Sequence, residues 1–195
     1  MRKIFRKSII VTAAAILIAL FGFSAAAQEN EKSLDVLFVH DTHSHLKEFA
    51  TVEDGESQVL GGFAKIKTLI NEKKAENPDT LILDAGDFSM GTLIQVVFEE
   101  EASEIRMLGN LGVEVTTLGN HEFDYRAKGL ANMMNNAVAS GDVLPEMVIS
   151  NVDWDAMKAA GLTEEQKLLW DAFENYGVKE YVVLEKDGIN IAVTG

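Results

Sequence analysis

Short apolar runs recur along the chain, and each has the length and composition of a buried β-strand. They lie at residues 35–39, 80–83, 115–118 and 147–149. A final pair of runs, at residues 181–184 and 189–193, is joined across Lys-Asp-Gly and predicts a β-hairpin. The Glu-Asp-Gly at residues 53–55 predicts a loop.

Segments with helical spacing of apolar residues separate these strands. They cover residues 62–75, 102–111, 127–139 and 163–176. The first places Phe63, Ile66, Leu69 and Ile70 on one face, and the last begins with the Thr-x-x-Gln pattern of a capping box. Strands that alternate with helices predict an α/β fold.

Three of the first four strands run into polar groups, at residues 40–45, 84–87 and 119–122. In α/β sheets the ligand site lies beyond the carboxyl ends of the strands. We therefore expect these carboxylate, imidazole and carboxamide groups to converge on one place.

The polar groups supply oxygen and nitrogen donors suited to divalent cations. Asp41 and His43 follow the first strand, although an Asp-x-His pair by itself is most often a solvated turn. Asp87 follows the second strand and, when ionised, can bridge two cations. Asn120 and His121 follow the third. Mn²⁺, Mg²⁺, Zn²⁺ and Fe²⁺ all accept this mixture of ligands.

The N-terminus has the pattern of a secretory signal peptide. Four basic residues between positions 2 and 7 precede an uncharged apolar stretch at residues 9–23, which runs into alanines. We predict a signal peptide at residues 1–27, cleaved after Ala27, and an exported portion at residues 28–195 in the periplasm, outside the cell or on its surface. A retained anchor is the alternative, but a spanning helix needs about 20 apolar residues, so we expect no stable membrane span after cleavage.

The acidic net charge and the absence of cysteine exclude some classes of partner and of metal site. The chain has 17 Lys and Arg against 31 Asp and Glu, and the predicted signal takes away four of the basic residues. Such an acidic surface repels phosphate backbones and argues against DNA or RNA as a partner. The chain has no cysteine, which excludes disulfides and thiolate metal sites.

Four motifs together resemble the calcineurin-like metallophosphatases, and among them the 5′-nucleotidase and UDP-sugar hydrolase group. They are Asp-Thr-His-Ser-His-Leu at 41–46, Gly-Gly-Phe-Ala at 61–64, Leu-Asp-Ala-Gly-Asp at 83–87 and Gly-Asn-His-Glu-Phe-Asp at 119–124. The resemblance runs from about residue 34 to residue 195. It implies a β-sandwich flanked by helices, in α-β-β-α layers, that is incomplete at the C-terminus.

The resemblance also implies a site for two divalent metal ions, whose ligands are Asp41, His43, Asp87 and Asn120. In that scheme Asp87 bridges the two ions, His121 is the catalytic histidine and Asp124 orients it. Two such ions activate a water molecule and neutralise the phosphoryl group, and a protonated histidine assists the leaving group.

Other polar residues near the motifs have plainer interpretations. We expect His40 to be structural and His45 to match no ligand position. Glu122 and Asp84 are expected to support the ligands or to be solvated. Asn151 is expected to form a turn.

No histidine follows His121 in this sequence, whereas the family adds a downstream His and a Gly-His-x-His motif. We therefore expect an N-terminal fragment of an exported, nucleotide-hydrolysing phosphoesterase that is inactive alone. The alternative is a truncated, non-catalytic, exported module that binds metal or a partner. Nucleoside monophosphates, UDP-sugars and cyclic nucleotides are all substrates within the family.

Overall fold

The computed structural model describes residues 32–195, of which residues 34–195 form one compact unit. The predicted signal peptide at residues 1–27 lies outside the described residues, so the cleavage after Ala27 stays a prediction. Among residues 32–195, no helix is long and apolar enough to cross a bilayer.

Eight strands and six α-helices make up this unit. The strands are β1 (Val36–Val39), β2 (Phe49–Glu53), β3 (Glu56–Leu60), β4 (Leu81–Asp84), β5 (Val115–Thr116), β6 (Glu146–Met147), β7 (Tyr181–Lys186) and β8 (Ile189–Thr194). The α-helices are α1 (Phe63–Glu76), α2 (Phe98–Glu101), α3 (Ser103–Leu111), α4 (Arg126–Ser140), α5 (Trp154–Ala160) and α6 (Glu164–Tyr176). Short 3₁₀ segments lie at Leu93–Val97 and His121–Tyr125.

Four parallel strands form the central sheet, in the order β1-β4-β5-β6. Val39 pairs with Asp84, and Leu83 pairs with Val115. The carboxyl ends of β1, β4 and β5 therefore meet at one edge, and the α/β prediction is confirmed.

A helical layer covers one face of the sheet. Its core contains fully buried side chains from several elements, among them Ile82, Phe88, Phe98, Ile105, Leu108, Leu130, Met133 and Met134. In α4 the buried residues Leu130, Met133, Met134 and Ala137 follow helical spacing, so one stripe of the helix faces the core. Burying a side chain of this size stabilises the fold by about 1.5–3 kcal/mol.

The β7–β8 hairpin packs against the other face of the sheet. Val182 of the hairpin is buried with Val115 and Val148, and Leu184 and Val193 pack beside them. Within the described residues, this hairpin therefore forms the second β-layer that was predicted. On the same face of the edge strand β1, however, Phe38 remains 60% exposed. The prediction that residues 35–39 form a buried strand is wrong for that face.

The predicted helices agree with the structure to within one or two residues. The capping box of α6 is present, with both reciprocal bonds formed between Thr163 and Gln166. The loop predicted at residues 53–55 contains the turn of the β2–β3 hairpin, where Asp54 and Gly55 have φ of 52° and 82°, but the two flanking strands were not predicted. Two successive left-handed residues are typical of a type I′ turn. Helix α5 was not predicted.

Candidate metal centre

The loops that follow β1 and β4 run side by side beyond the sheet edge. Three backbone hydrogen bonds join them: Asp41 N–H to Gly86 O at 3.1 Å, His43 N–H to Asp87 O at 3.0 Å and Ser44 N–H to Phe88 O at 2.8 Å. The pairing of the two strands thus continues into the loops and fixes where their side chains start.

The loops that follow β4 and β5 touch at two glycines. Gly86 has φ +84°, and a Cβ there would lie 2.3 Å from the amide nitrogen of Gly119. Only glycine fits, because the conformation is left-handed and the neighbouring backbone occupies the space. Beside this contact the backbone N–H of His121 donates to Asp87 Oδ1 at 2.9 Å.

These contacts bring three predicted site residues together. His43, Asp87 and His121 each offer a ligand atom, and these atoms lie within 4.8 Å of one another. The rings of His43 and His121 meet edge to face with centroids 5.1 Å apart. All three residues are partly buried, and two imidazoles with one carboxylate suit borderline divalent cations such as Zn²⁺, Mn²⁺ or Fe²⁺.

Backbone carbonyls fix the tautomer of His43. Its Nδ1 lies 3.1 Å from the carbonyl oxygen of Ser89 and 2.9 Å from that of Met90. A carbonyl only accepts hydrogen bonds, so Nδ1 carries the proton. The unprotonated Nε2 is then free to bind a metal, as in many metal-ligating histidines.

His121 and Asp124 form the predicted pair, with His121 Nδ1 2.7 Å from Asp124 Oδ2. The hydrogen bond to Asp124 raises the pKa of His121, and the negative charges of Asp124, Asp87 and Glu122 add to the effect, whereas burial opposes it. The protonated imidazole is therefore favoured. With its Nδ1 bound to Asp124, His121 can offer only Nε2, as an N–H donor to a substrate when protonated or as a metal ligand when neutral.

Asp41 and Asn120 are placed differently. Among residues 32–195, Asp41 is not part of the group that could hold a metal; its carboxylate accepts a hydrogen bond from His40 at 3.0 Å. That bond is the main reason that the pKa of Asp41 is lowered. Asn120 is exposed beside His121. His45 Nδ1 donates to the carbonyl of Thr42, and His45 lies outside the group.

The ligand-bearing loops contain strained backbone. Positive φ values at non-glycine residues occur at Asp41 (50°), His43 (43°), Ser44 (55°), Asp87 (51°) and Met90 (61°). Each such residue costs on the order of 1–3 kcal/mol, and strain of this kind clusters at functional sites. The surrounding contacts must therefore hold these loops in place.

Sequence reasoning missed Glu104, a fully buried residue that supports the first loop. Its carboxylate accepts hydrogen bonds from Ser44 Oγ and Ser103 Oγ, both at 2.7 Å. A signal was present, because Glu104 shares the apolar face of α3 with Leu108 and Leu111. A carboxylate at a core position needs polar partners, and here the ligand loop provides one.

Comparison with known proteins assigns the chain to a family. The calcineurin-like phosphoesterase family matches residues 34–186. The chain is 31% identical over 144 residues to the probable 5′-nucleotidase of Treponema pallidum, an alignment that covers 70% of this chain and 24% of the relative. It is 30% identical over 173 residues to the 5′-nucleotidase of Bos taurus, covering 81% of this chain and 28% of the relative.

A solved structure agrees with this assignment. The structure resembles the 5′-nucleotidase precursor of Thermus thermophilus with a TM-score of 0.62 and 27% identity, over 83% of this chain and 28% of that one. The chain thus spans about a quarter of the length of these relatives. On its motifs, its fold and the match to residues 34–186, this chain belongs to the calcineurin-like phosphoesterase family.

Proposed function

We propose that the chain is the metal-binding N-terminal part of an exported phosphoesterase that hydrolyses nucleotides. The proposal rests above all on the convergence of His43, Asp87 and His121, whose ligand atoms lie within 4.8 Å of one another. Relatives named as 5′-nucleotidases support nucleotides as the substrate class. The signal-like pattern of residues 1–27 supports export.

Different residues of the chain would bind the metal ions and act on the substrate. Asp41, His43, Asp87 and Asn120 would hold two divalent metal ions (Mn²⁺, Zn²⁺, Mg²⁺ or Fe²⁺); of these four residues, the structure brings His43 and Asp87 into one group. Ions bound there supply a nucleophile from water at neutral pH and offset charge on the transferring phosphoryl group. In the neutral ring of His43, the proton lies on Nδ1 and Nε2 is left for this purpose.

His121 acts on the phosphoester itself. Asp124 holds its Nδ1 proton and favours the imidazolium, so Nε2–H is the donor that remains for a substrate. Through Nε2–H, His121 donates a hydrogen bond to the phosphoryl group or passes its proton to the leaving oxygen. General acid help of this kind contributes about 10²–10⁴-fold to a rate.

A second candidate is a module that binds metal or a partner without turnover. It is favoured by the histidine content: the chain has four histidines, and none follows His121. Both candidates include the metal centre, but only one of them belongs to a protein that hydrolyses phosphoesters. Metal binding and hydrolysis must therefore both be measured.

Calorimetric titration of the chain with Mn²⁺ tests the shared centre. We expect wild-type protein to bind Mn²⁺ and Asp87→Ala to bind at least about tenfold more weakly. Asp79→Ala, which alters an exposed carboxylate, is the matched control and should bind like wild type. Equal Mn²⁺ affinity in the Asp87→Ala variant would refute the proposed centre.

Hydrolysis of AMP and of p-nitrophenyl phosphate with Mn²⁺ can exclude the binding-only module, although both candidates allow the isolated chain to be inactive. We expect little or no turnover by these 195 residues alone. Turnover that disappears in Asp87→Ala would instead exclude the binding-only module.

A further inference from the structure

Glu122 is a fully buried carboxylate in the middle of the ligand loops. It follows His121 directly in the 3₁₀ segment, and its exposed fraction is 0%. A solvated role is thereby excluded. A buried carboxylate is costly unless its oxygens accept hydrogen bonds, so its partners show what it does.

Both carboxylate oxygens of Glu122 accept two hydrogen bonds. Oε1 accepts from Ser89 N–H at 2.9 Å and from Ser89 Oγ–H at 2.7 Å. Oε2 accepts from Asp87 N–H at 3.1 Å and from Gly119 N–H at 2.7 Å. Four donors saturate the usual acceptor positions of a carboxylate.

These bonds connect the loop after β4 to the loop after β5. Asp87, with its strained φ of 51°, lies in the first loop, and His121 in the second. The carboxylate therefore fixes the spacing between the residue that would bridge the metals and the residue that would act on the substrate. Removing it would leave three amides and a hydroxyl without this acceptor.

We propose that Glu122 is a positioning residue that sets the spacing between Asp87 and the neighbouring segment of Asn120 and His121, and thereby the affinity of the centre for divalent metal. The inference rests on the proposed function, because it presumes that these residues hold a metal. Because protein donors occupy the acceptor positions of Glu122, it acts through the two loops that it connects.

Two substitutions of Glu122 distinguish the effect of its position between the loops from the effect of its charge. Glu122→Gln keeps the size of the side chain, but its NH₂ group replaces an oxygen that now accepts two donors. Glu122→Asp keeps the charge, but it is one methylene shorter and cannot span both loops. The matched control is Glu174→Gln, an exposed residue of α6.

Amide hydrogen exchange on the ¹⁵N-labelled chain measures directly how well the loop amides are protected. We expect exchange at the amides of Asp87, Ser89 or Gly119 to accelerate at least about tenfold in both Glu122 variants, while the buried amides of α4 stay as in wild type. Unchanged exchange at all three amides would overturn the inference.

Titration with Mn²⁺ alone measures how the substitutions change the affinity of the protein for the metal. We expect affinity to fall by about 10–100-fold in both Glu122 variants and to stay unchanged in Glu174→Gln. Wild-type affinity in Glu122→Asp would show that charge rather than position matters. Faster exchange with wild-type affinity in Glu122→Gln would show a merely structural role. Either result overturns the inference.

The failure of the inference and that of the proposed function give different results. If wild-type protein bound no Mn²⁺, the proposed function and the inference that depends on it would both be rejected. If wild type bound Mn²⁺ but the Glu122 variants bound it equally well, only the inference would be rejected.

Discussion

Asp84 carries a buried carboxylate whose charge the fold disfavours. The residue is 5% exposed at the end of β4, and its Oδ2 accepts hydrogen bonds from Gly86 N–H at 3.0 Å and Thr116 Oγ–H at 2.6 Å. Within the described residues its Oδ1 is buried without a partner. Burial raises the pKa of Asp84 from its ordinary value of 3.8 to about 6, against the opposing effect of the two hydrogen bonds.

The sign of the effect on stability follows from proton binding. Between pH 3.8 and about pH 6 the unfolded chain has lost the proton of Asp84 while the folded chain keeps it, so the free energy of unfolding falls as the pH rises. A pKa difference of this size corresponds to about 3 kcal/mol once the pH exceeds both values. Below pH 3.8 the cost disappears.

The asparagine side chain in Asp84→Asn cannot ionise, so the unfolding free energy of this variant should not fall in this way as the pH rises. Its amide oxygen can accept the same two hydrogen bonds. We expect the free energy of unfolding of the variant, relative to wild type, to rise by about 2 kcal/mol between about pH 4 and about pH 8. At about pH 8 this corresponds to a melting temperature roughly 4–8 °C higher than otherwise expected.

Urea unfolding of metal-free protein, followed by circular dichroism across this pH range, measures the difference. Asp79→Asn is the control, because Asp79 is exposed and its difference from wild type should not vary with pH. A pH-independent difference between Asp84→Asn and wild type would refute the claim that Asp84 is buried as an unfavourable charge.

Three further perturbations test the loops and the helix cap. Asp124→Asn should lower the pKa of His121, because it removes the carboxylate that stabilises the imidazolium; an imidazole NMR titration that leaves the pKa unchanged would contradict this. Gly86→Ala should destabilise the fold by clearly more than Gly112→Ala in urea unfolding, because both glycines have positive φ but only at Gly86 does a Cβ collide with backbone. Thr163→Ala should cost about 1 kcal/mol of unfolding free energy, since it breaks the capping box of α6; no loss would mean that the cap does not contribute.

Local patterns in the sequence were enough to predict much of the fold. The helix predicted at residues 62–75 is Phe63–Glu76, because its spacing of apolar residues depends only on neighbours along the chain. The hairpin around Asp187 and Gly188 is also present, and both residues have the positive φ that its turn requires. Such signals act over a few residues, so they can be read without knowing the tertiary structure.

The convergence of the strand-end residues could also be predicted. It needed only the rule that parallel strands present their carboxyl ends at one edge. The pair formed by His121 and Asp124 followed from the family resemblance, and the structure shows the contact at 2.7 Å.

The sequence by itself determined which donors reach the sheet edge, and the tertiary structure decided how each is held. That Glu104 and Glu122 are buried under the loops depends on contacts between residues far apart in the chain. The exposure of Phe38 likewise depends on which strand lies at the sheet edge. Residue type limits what a side chain can bind, but burial and hydrogen-bond partners come from the packing of distant segments, and no local pattern specifies them.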